Sequence, residues 1–279
     1  MTHRPTLPNF VYGTAWKEDQ TEPLTLQALR AGFRAIDTAN QRRHYFETGV
    51  GTALTKIFQE GLLKREDLFL QTKFTYQRGQ DHRLPYDPNA DIPTQIRQSF
   101  ASSLEHLQTD YLDSYLLHGP ASSSSLTASD WEVWRTLEEL QRAGRVKYIG
   151  VSNVNCQQLR SLVSKAKVFP TFVQNRCYAK YRWDREIRGI CLEHGIVYQG
   201  FSLLTANPEV FGHPDFKEIC LRTQAQPAQV VFNFCRRLQM LPLTGTTNPN
   251  HMNLDLRAFD FELLDEEIRT LEVISLARI

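Results

Sequence analysis

An alternation that never breaks constrains this chain more than any other feature. Short apolar runs of strand length are each followed by a stretch with helical apolar spacing, and the pair recurs from Phe10 to Leu271. The pattern predicts strands over 10–14, 33–39, 68–74, 112–118, 146–152, 171–175, 196–204 and 240–244. It predicts helices over 22–31, 47–60, 94–107, 129–142, 157–165, 183–193, 228–237 and 263–271. Eight βα units in 279 residues fit a closed parallel (β/α)8 TIM barrel of the α/β class, one domain spanning 1–279. No G-x-G-x-x-G follows any strand, which argues against a Rossmann domain. The polar stretch 75–93 is too long for a plain connection and reads as a lid or substrate loop.

A closed parallel barrel makes a sharp demand, because its chemistry belongs at the C-terminal ends of the strands. Asp37 ends the second strand, Lys73 the third and His118 the fourth. Asn153 follows the fifth, Asn175 ends the sixth, and Phe201 with Ser202 lies late in the seventh. Any one of these is unremarkable: Asp37 alone would serve to cap a helix, and Asp37 with Lys73 would make a structural ion pair. Six polar or functional strand ends in succession describe an active site. Tyr45 sits on the turn above Asp37, and a nearby Lys73 ammonium is expected to lower the phenol below its ordinary pKa near 10. Such a Tyr donates a proton to a carbonyl oxygen, with His118 orienting the same carbonyl.

Composition excludes other partners. Lys plus Arg number 32 against 31 Asp plus Glu, so no net field draws nucleic acid or an anionic membrane. The apolar runs are strand-sized, and MTHRPTLPNF has no signal-peptide core, so a cytoplasmic protein is expected. The five cysteines lack C-x-x-C pairing and read as reduced, and no H-x-H or carboxylate cluster stands at the strand ends, so no metal is expected.

The segments G-T-A-W-K (13–17), I-D-T-A (36–39), T-K (72–73), L-L-H-G-P (116–120), I-G-V-S-N (149–153) and V-Q-N (173–175) resemble the aldo-keto reductases in order and spacing. The resemblance covers almost the whole chain. It implies a barrel that binds NADPH/NADP+ without a Rossmann fold, and an Asp37, Tyr45, Lys73 and His118 tetrad reducing a small carbonyl substrate. It also implies that Ser152, Asn153 and Asn175 hold the nicotinamide amide and that Phe201 stacks on its ring. Gly13, Thr14, Ser202 and Leu204 join the expected cofactor site. The alternative implied by the same family is a cofactor-binding barrel serving as a regulatory subunit. The expected assembly is a monomer or weak homo-oligomer.

Three departures from the family pattern matter. The usual turn puts Tyr five positions after Asp, where this chain has Arg42. Counting back from Glu47 places His44 opposite that Tyr, so both Tyr45 and His44 stand as candidates, Tyr45 being preferred because a phenol does this chemistry. In place of the basic P-K-S and Arg, the last loop reads P-L-T-G-T-T-N-P-N-H-M, leaving Thr246, Thr247, His251 and a helix start to hold a phosphate. Weaker discrimination between NADPH and NADH follows as an expectation. The third departure is a chain that ends soon after its last helix, shifting specificity to Trp16, His44, Tyr76, Arg78, His82 and Tyr86.

Overall fold

Eight parallel strands close on themselves in sequence order: β1 (Val11–Gly13), β2 (Ala35–Asp37), β3 (Phe69–Phe74), β4 (Leu112–Leu117), β5 (Val146–Ser152), β6 (Phe172–Arg176), β7 (Val197–Phe201) and β8 (Met240–Thr244). β1 pairs with β8 to complete the ring. A computed structural model describes residues 8–276; residues 1–7, most of the N-terminal segment read above, and 277–279 lie outside the described residues.

The two-residue period of a strand decides what faces the barrel axis. Val11, Ala35, Phe69, Leu116, Phe172, Leu241 and Leu243 form an apolar cluster of their own, apart from the larger core between strands and helices. Two residues on from Ala35, Phe69 and Phe172 stand Asp37, Gln71 and Gln174, joined to each other by side-chain hydrogen bonds. Gln199 bonds both glutamines and completes this polar layer. The lumen therefore passes from an apolar floor to a polar storey below the mouth.

Helices α1 (Thr21–Ala31), α2 (Glu47–Gln59), α3 (Ile92–Leu107), α4 (Ala128–Arg142), α5 (Cys156–Lys165), α6 (Arg185–Glu193), α7 (Pro208–Gly212), α8 (Pro214–Thr223), α9 (Pro227–Arg237), α10 (Pro249–Leu256) and α11 (Asp265–Val273) occupy the intervening and final segments. Their starts obey local chemistry. Thr127 caps α4 by accepting from the Asp130 N–H while Asp130 accepts from the Thr127 N–H, and Asn155 with Gln158 does the same for α5. α2 ends before Gly61, whose φ of 70° suits glycine. No described helix is long and apolar enough to cross a membrane.

The departures from expectation have physical causes. β2 is shorter than 33–39 because Thr38 and Asn40 donate only to β3, at Gln71 O and Lys73 O, and leave β1. β7 stops at Phe201 because Ser202 turns left-handed, with φ 55°. α6 starts at Arg185 rather than 183 because Arg182, Trp183 and Asp184 all hold positive φ. α7 and α8 lie where the apolar spacing predicts no helix, although Asn207-Pro208 and His213-Pro214 carry the residue types that open helices.

Candidate active site

Lys73 climbs two steps above Phe69 on the inward face of β3, reaching the polar storey. It is fully buried, and its Nζ donates to both Asp37 carboxylate oxygens at 2.7 Å and to Thr38 O at 2.8 Å. All three ammonium protons are thereby used. Asp37 also accepts from Gln71 Nε2 at 2.7 Å and Gln174 Nε2 at 3.0 Å. A buried ion pair needs this additional bonding to offset desolvation.

The turn after β2 sorts His44 from Tyr45. Both N–H groups donate to Gln41 O, while His44 O accepts from Trp16 N at 2.7 Å. His44 consequently stacks on Trp16, with ring centroids 3.9 Å apart, and Trp16 is 71% exposed, so this pair forms part of the rim. The Tyr45 ring meets His118 edge-on at 5.8 Å, and Lys73 Nζ lies 5.3 Å from the Tyr45 centroid. The Tyr45 hydroxyl has no hydrogen-bond partner among the described residues, and Tyr45 lines the cavity.

The electrostatics reverse one expectation. Burial, followed by the Asp37 charge, pushes the Tyr45 phenol well above its ordinary pKa rather than below it. The Lys73 protons point at Asp37 and Thr38 and make no hydrogen bond to the phenol that would oppose this. His118 is pushed down to about 3 by burial and then by Lys73, so its imidazole is neutral. His118 Nδ1 lies 2.7 Å from Thr75 Oγ1, and Nε2 has no bond among the described residues.

These groups open into a cavity of about 1040 Å³. Ligand pockets run from roughly 300 to 1,000 Å³, so this cavity stands at the large end of that range. Of the expected residues, Gly13, Trp16, Asp37, His44, Tyr45, Tyr76, His118, Ser152, Asn153, Phe201, Ser202, Leu204, Thr246, Thr247 and His251 line it. Asn153 holds φ 56° with its amide on His118 O at 2.8 Å, and Ser152 Oγ donates to Gln174 O at 2.6 Å.

Five expected residues do not line the cavity. Lys73 lies beneath the mouth, bonded to Asp37 and close to the Tyr45 ring. Thr14 is buried with its hydroxyl on Asp37 O at 3.0 Å. Asn175 faces away, its amide engaged with Val154 N, Val154 O and Asp184, and the adjacent Gln174 takes the lining position. Tyr86, 6% exposed, packs against Phe74 and donates to Thr75 O at 2.8 Å, so it belongs to the core. His82 also lies off the cavity wall.

Among the lining residues that the sequence analysis does not name as site residues, Lys17 carries the most chemistry. Lys17 is 5% exposed, and its Nζ donates to Gly245 O at 2.7 Å with no carboxylate within salt-bridge distance among the described residues. Burial lowers it to about 8. An ammonium buried without an anion is costly, and beside Thr246, Thr247 and His251 it offers an anionic ligand a seat. Its signal was the last letter of G-T-A-W-K, read only as part of a resemblance. Among the described residues no group of three or more His, Cys, Asp or Glu is arranged to hold a metal.

The arrangement has counterparts among known proteins. An aldo-keto reductase of Mycolicibacterium vanbaalenii is 29% identical, the match covering 96% of this chain and 88% of that protein. The aldose reductase structure from Schistosoma japonicum superimposes with a TM-score of 0.84 at 23% identity, covering 99% of this chain and 91% of the other. An aldo-keto reductase complexed with NADPH gives a TM-score of 0.82 at 23% identity, over 96% and 84% of the two chains. The pattern of the aldo/keto reductase family itself matches residues 11–207, from the first strand to beyond the seventh. On that match the chain belongs to the aldo/keto reductase family and is an NAD(P)H-dependent oxidoreductase.

Proposed function

We propose that the protein reduces the carbonyl of a small aldehyde or ketone to an alcohol, with Tyr45 as the proton donor and NADPH as the reductant. When bound, the nicotinamide supplies the hydride. The residues on the β5 to β8 side fit such a group: Ser152, Asn153 and Gln174 offer amide and hydroxyl partners, and Phe201 offers an aromatic face. Lys17, Thr246, Thr247 and His251 suit the phosphates. The dinucleotide in a structurally similar aldo-keto reductase supports the same choice.

The observation that carries the reading is the Tyr45 hydroxyl, free of any partner in the described protein, on a ring set between Lys73 and His118. A phenol held well above its ordinary pKa stays protonated across the physiological range and keeps its proton until a stronger base forms. A carbonyl oxygen becoming an alkoxide is such a base. Neutral His118, with Nδ1 engaged by Thr75, presents Nε2 to the same oxygen. Lys73 stabilises the phenolate left behind through space rather than through a hydrogen bond. His44 is the weaker candidate because its ring is committed to Trp16 at the rim.

Tyr45→Phe keeps the ring and removes only the acidic proton. Reduction of a test aldehyde is expected to fall about 10²–10⁴-fold, the scale of lost general acid catalysis, while NADPH binding measured by tryptophan fluorescence stays near wild type. His44→Phe is expected to retain turnover. The opposite pattern would transfer the role to His44, and absence of any NADPH binding by the wild-type protein would end the reductase reading.

A further inference from the structure

The cavity has two sides fixed by the ring order. β4 lies opposite β8 in the closed barrel, so the loops after β3 and β4 face the Lys17, Thr246 and Thr247 wall across the mouth. A 3₁₀ turn at Gln77–Gly79 lies on this side, and Arg78 lines the cavity. Its guanidinium donates to Ala121 O at 2.5 Å and also to Pro120 O, reaching from the β3 loop to the β4 loop. The turn is fixed on both flanks: Tyr76 OH donates to Asp130 at 2.9 Å, and Gln41 Nε2 donates to Gly79 O at 2.6 Å.

Arg78 differs from its neighbours. Arg83 pairs with Asp81 and Arg42 with Glu18, whereas Arg78 has no carboxylate within salt-bridge distance among the described residues. Its two partners are neutral carbonyls, and three of its five N–H donors have no acceptor there. Among the described residues two carboxylates line the cavity. Asp37 is neutralised by Lys73, and Asp255 lies on the β8 side bonded to Thr244. The substrate side thus holds a cation with no carboxylate in direct contact, Asp130 being engaged by Tyr76 OH and Ala121 N, in a geometry suited to a planar anion.

Resting on the reductase reading above, we infer that the substrate is an acidic carbonyl compound, carrying a carboxylate that Arg78 engages while its carbonyl lies at Tyr45 and His118. The two carbonyl braces hold the guanidinium in place before substrate arrives, so little side-chain freedom is lost on binding.

The test compares 4-carboxybenzaldehyde with its neutral methyl ester under saturating NADPH. The ester is the more electrophilic aldehyde, so preference for the acid runs against intrinsic reactivity. Wild-type kcat/KM is expected to favour the acid by about tenfold, the scale of one charge-assisted hydrogen bond at a partly solvated site, and to lose that preference as ionic strength rises. Arg78→Gln is expected to erase the ratio, chiefly through KM. Equal handling of the two aldehydes by the wild-type protein overturns the inference. So does an Arg78→Gln variant that slows both alike, because that is the signature of a brace alone. If neither aldehyde is reduced, the reductase reading fails, and thermal shifts with 4-(hydroxymethyl)benzoate and its methyl ester then decide the anion site. Stronger stabilisation by the acid, lost in Arg78→Gln, upholds it; equal shifts overturn it.

Discussion

Lys73→Met separates what the buried pair does for stability from what it does for chemistry. Methionine fills much of the volume of the aliphatic stem but removes the charge and three hydrogen bonds, to Asp37 Oδ1, Asp37 Oδ2 and Thr38 O. Asp37 keeps the two amide donors of Gln71 and Gln174, yet it is 2% exposed and loses its counter-charge. Breaking a buried pair on one side costs about 3–5 kcal/mol. At roughly 2–4 °C per kcal/mol for a domain approaching this size, the melting temperature is expected to fall by about 6–20 °C. Adding Asp37→Asn removes the orphaned charge while leaving an amide oxygen for Gln71 and Gln174. The double variant is therefore expected to recover most of the lost stability and none of the activity. Thermal melts and urea titrations of the two single variants and the double variant give the coupling directly. Recovery of less than about 1 kcal/mol in the double variant would refute the account, since the loss would then come from packing rather than from an unpaired carboxylate.

Lys17→Met is expected to weaken NADPH binding, and pH gives the sign. The lysine is charged below its lowered value of about 8, so wild-type affinity should decline as pH rises through that value, while the variant's affinity stays flat; a parallel decline in both would remove Lys17 from the phosphate seat. Gly51→Ala tests the fold away from the site. Its Cβ would lie 2.0 Å from His106 O on α3, so α2 must move off α3, and a destabilisation of about 1–3 kcal/mol in a urea titration is expected.

The chain's order in sequence determined a great deal. Periodicity alone separated strand from helix, and the count of alternating units selected a closed barrel, because only closure gives eight short parallel strands two neighbours each. Strand-end position then picked out Asp37, His118 and Asn153, since the face carrying the βα loops is set by chain direction. Which side chains meet across the ring was another matter. Asp37, Gln71, Gln174 and Gln199 come from β2, β3, β6 and β7, and no local spacing links them. Lys17 and Gly245 lie at opposite ends of the chain and meet because β1 pairs with β8. Asn175 and Gln174 are adjacent in sequence, and the inward or outward sense of β6 decided which one reaches the cavity. Tyr45 could be named from the turn, but its proton affinity could not, because that depends on the burial of the phenol and on the Asp37 charge near it. Local pattern fixes the elements through backbone geometry, whereas charge states depend on burial and partners that exist only once the ring has closed.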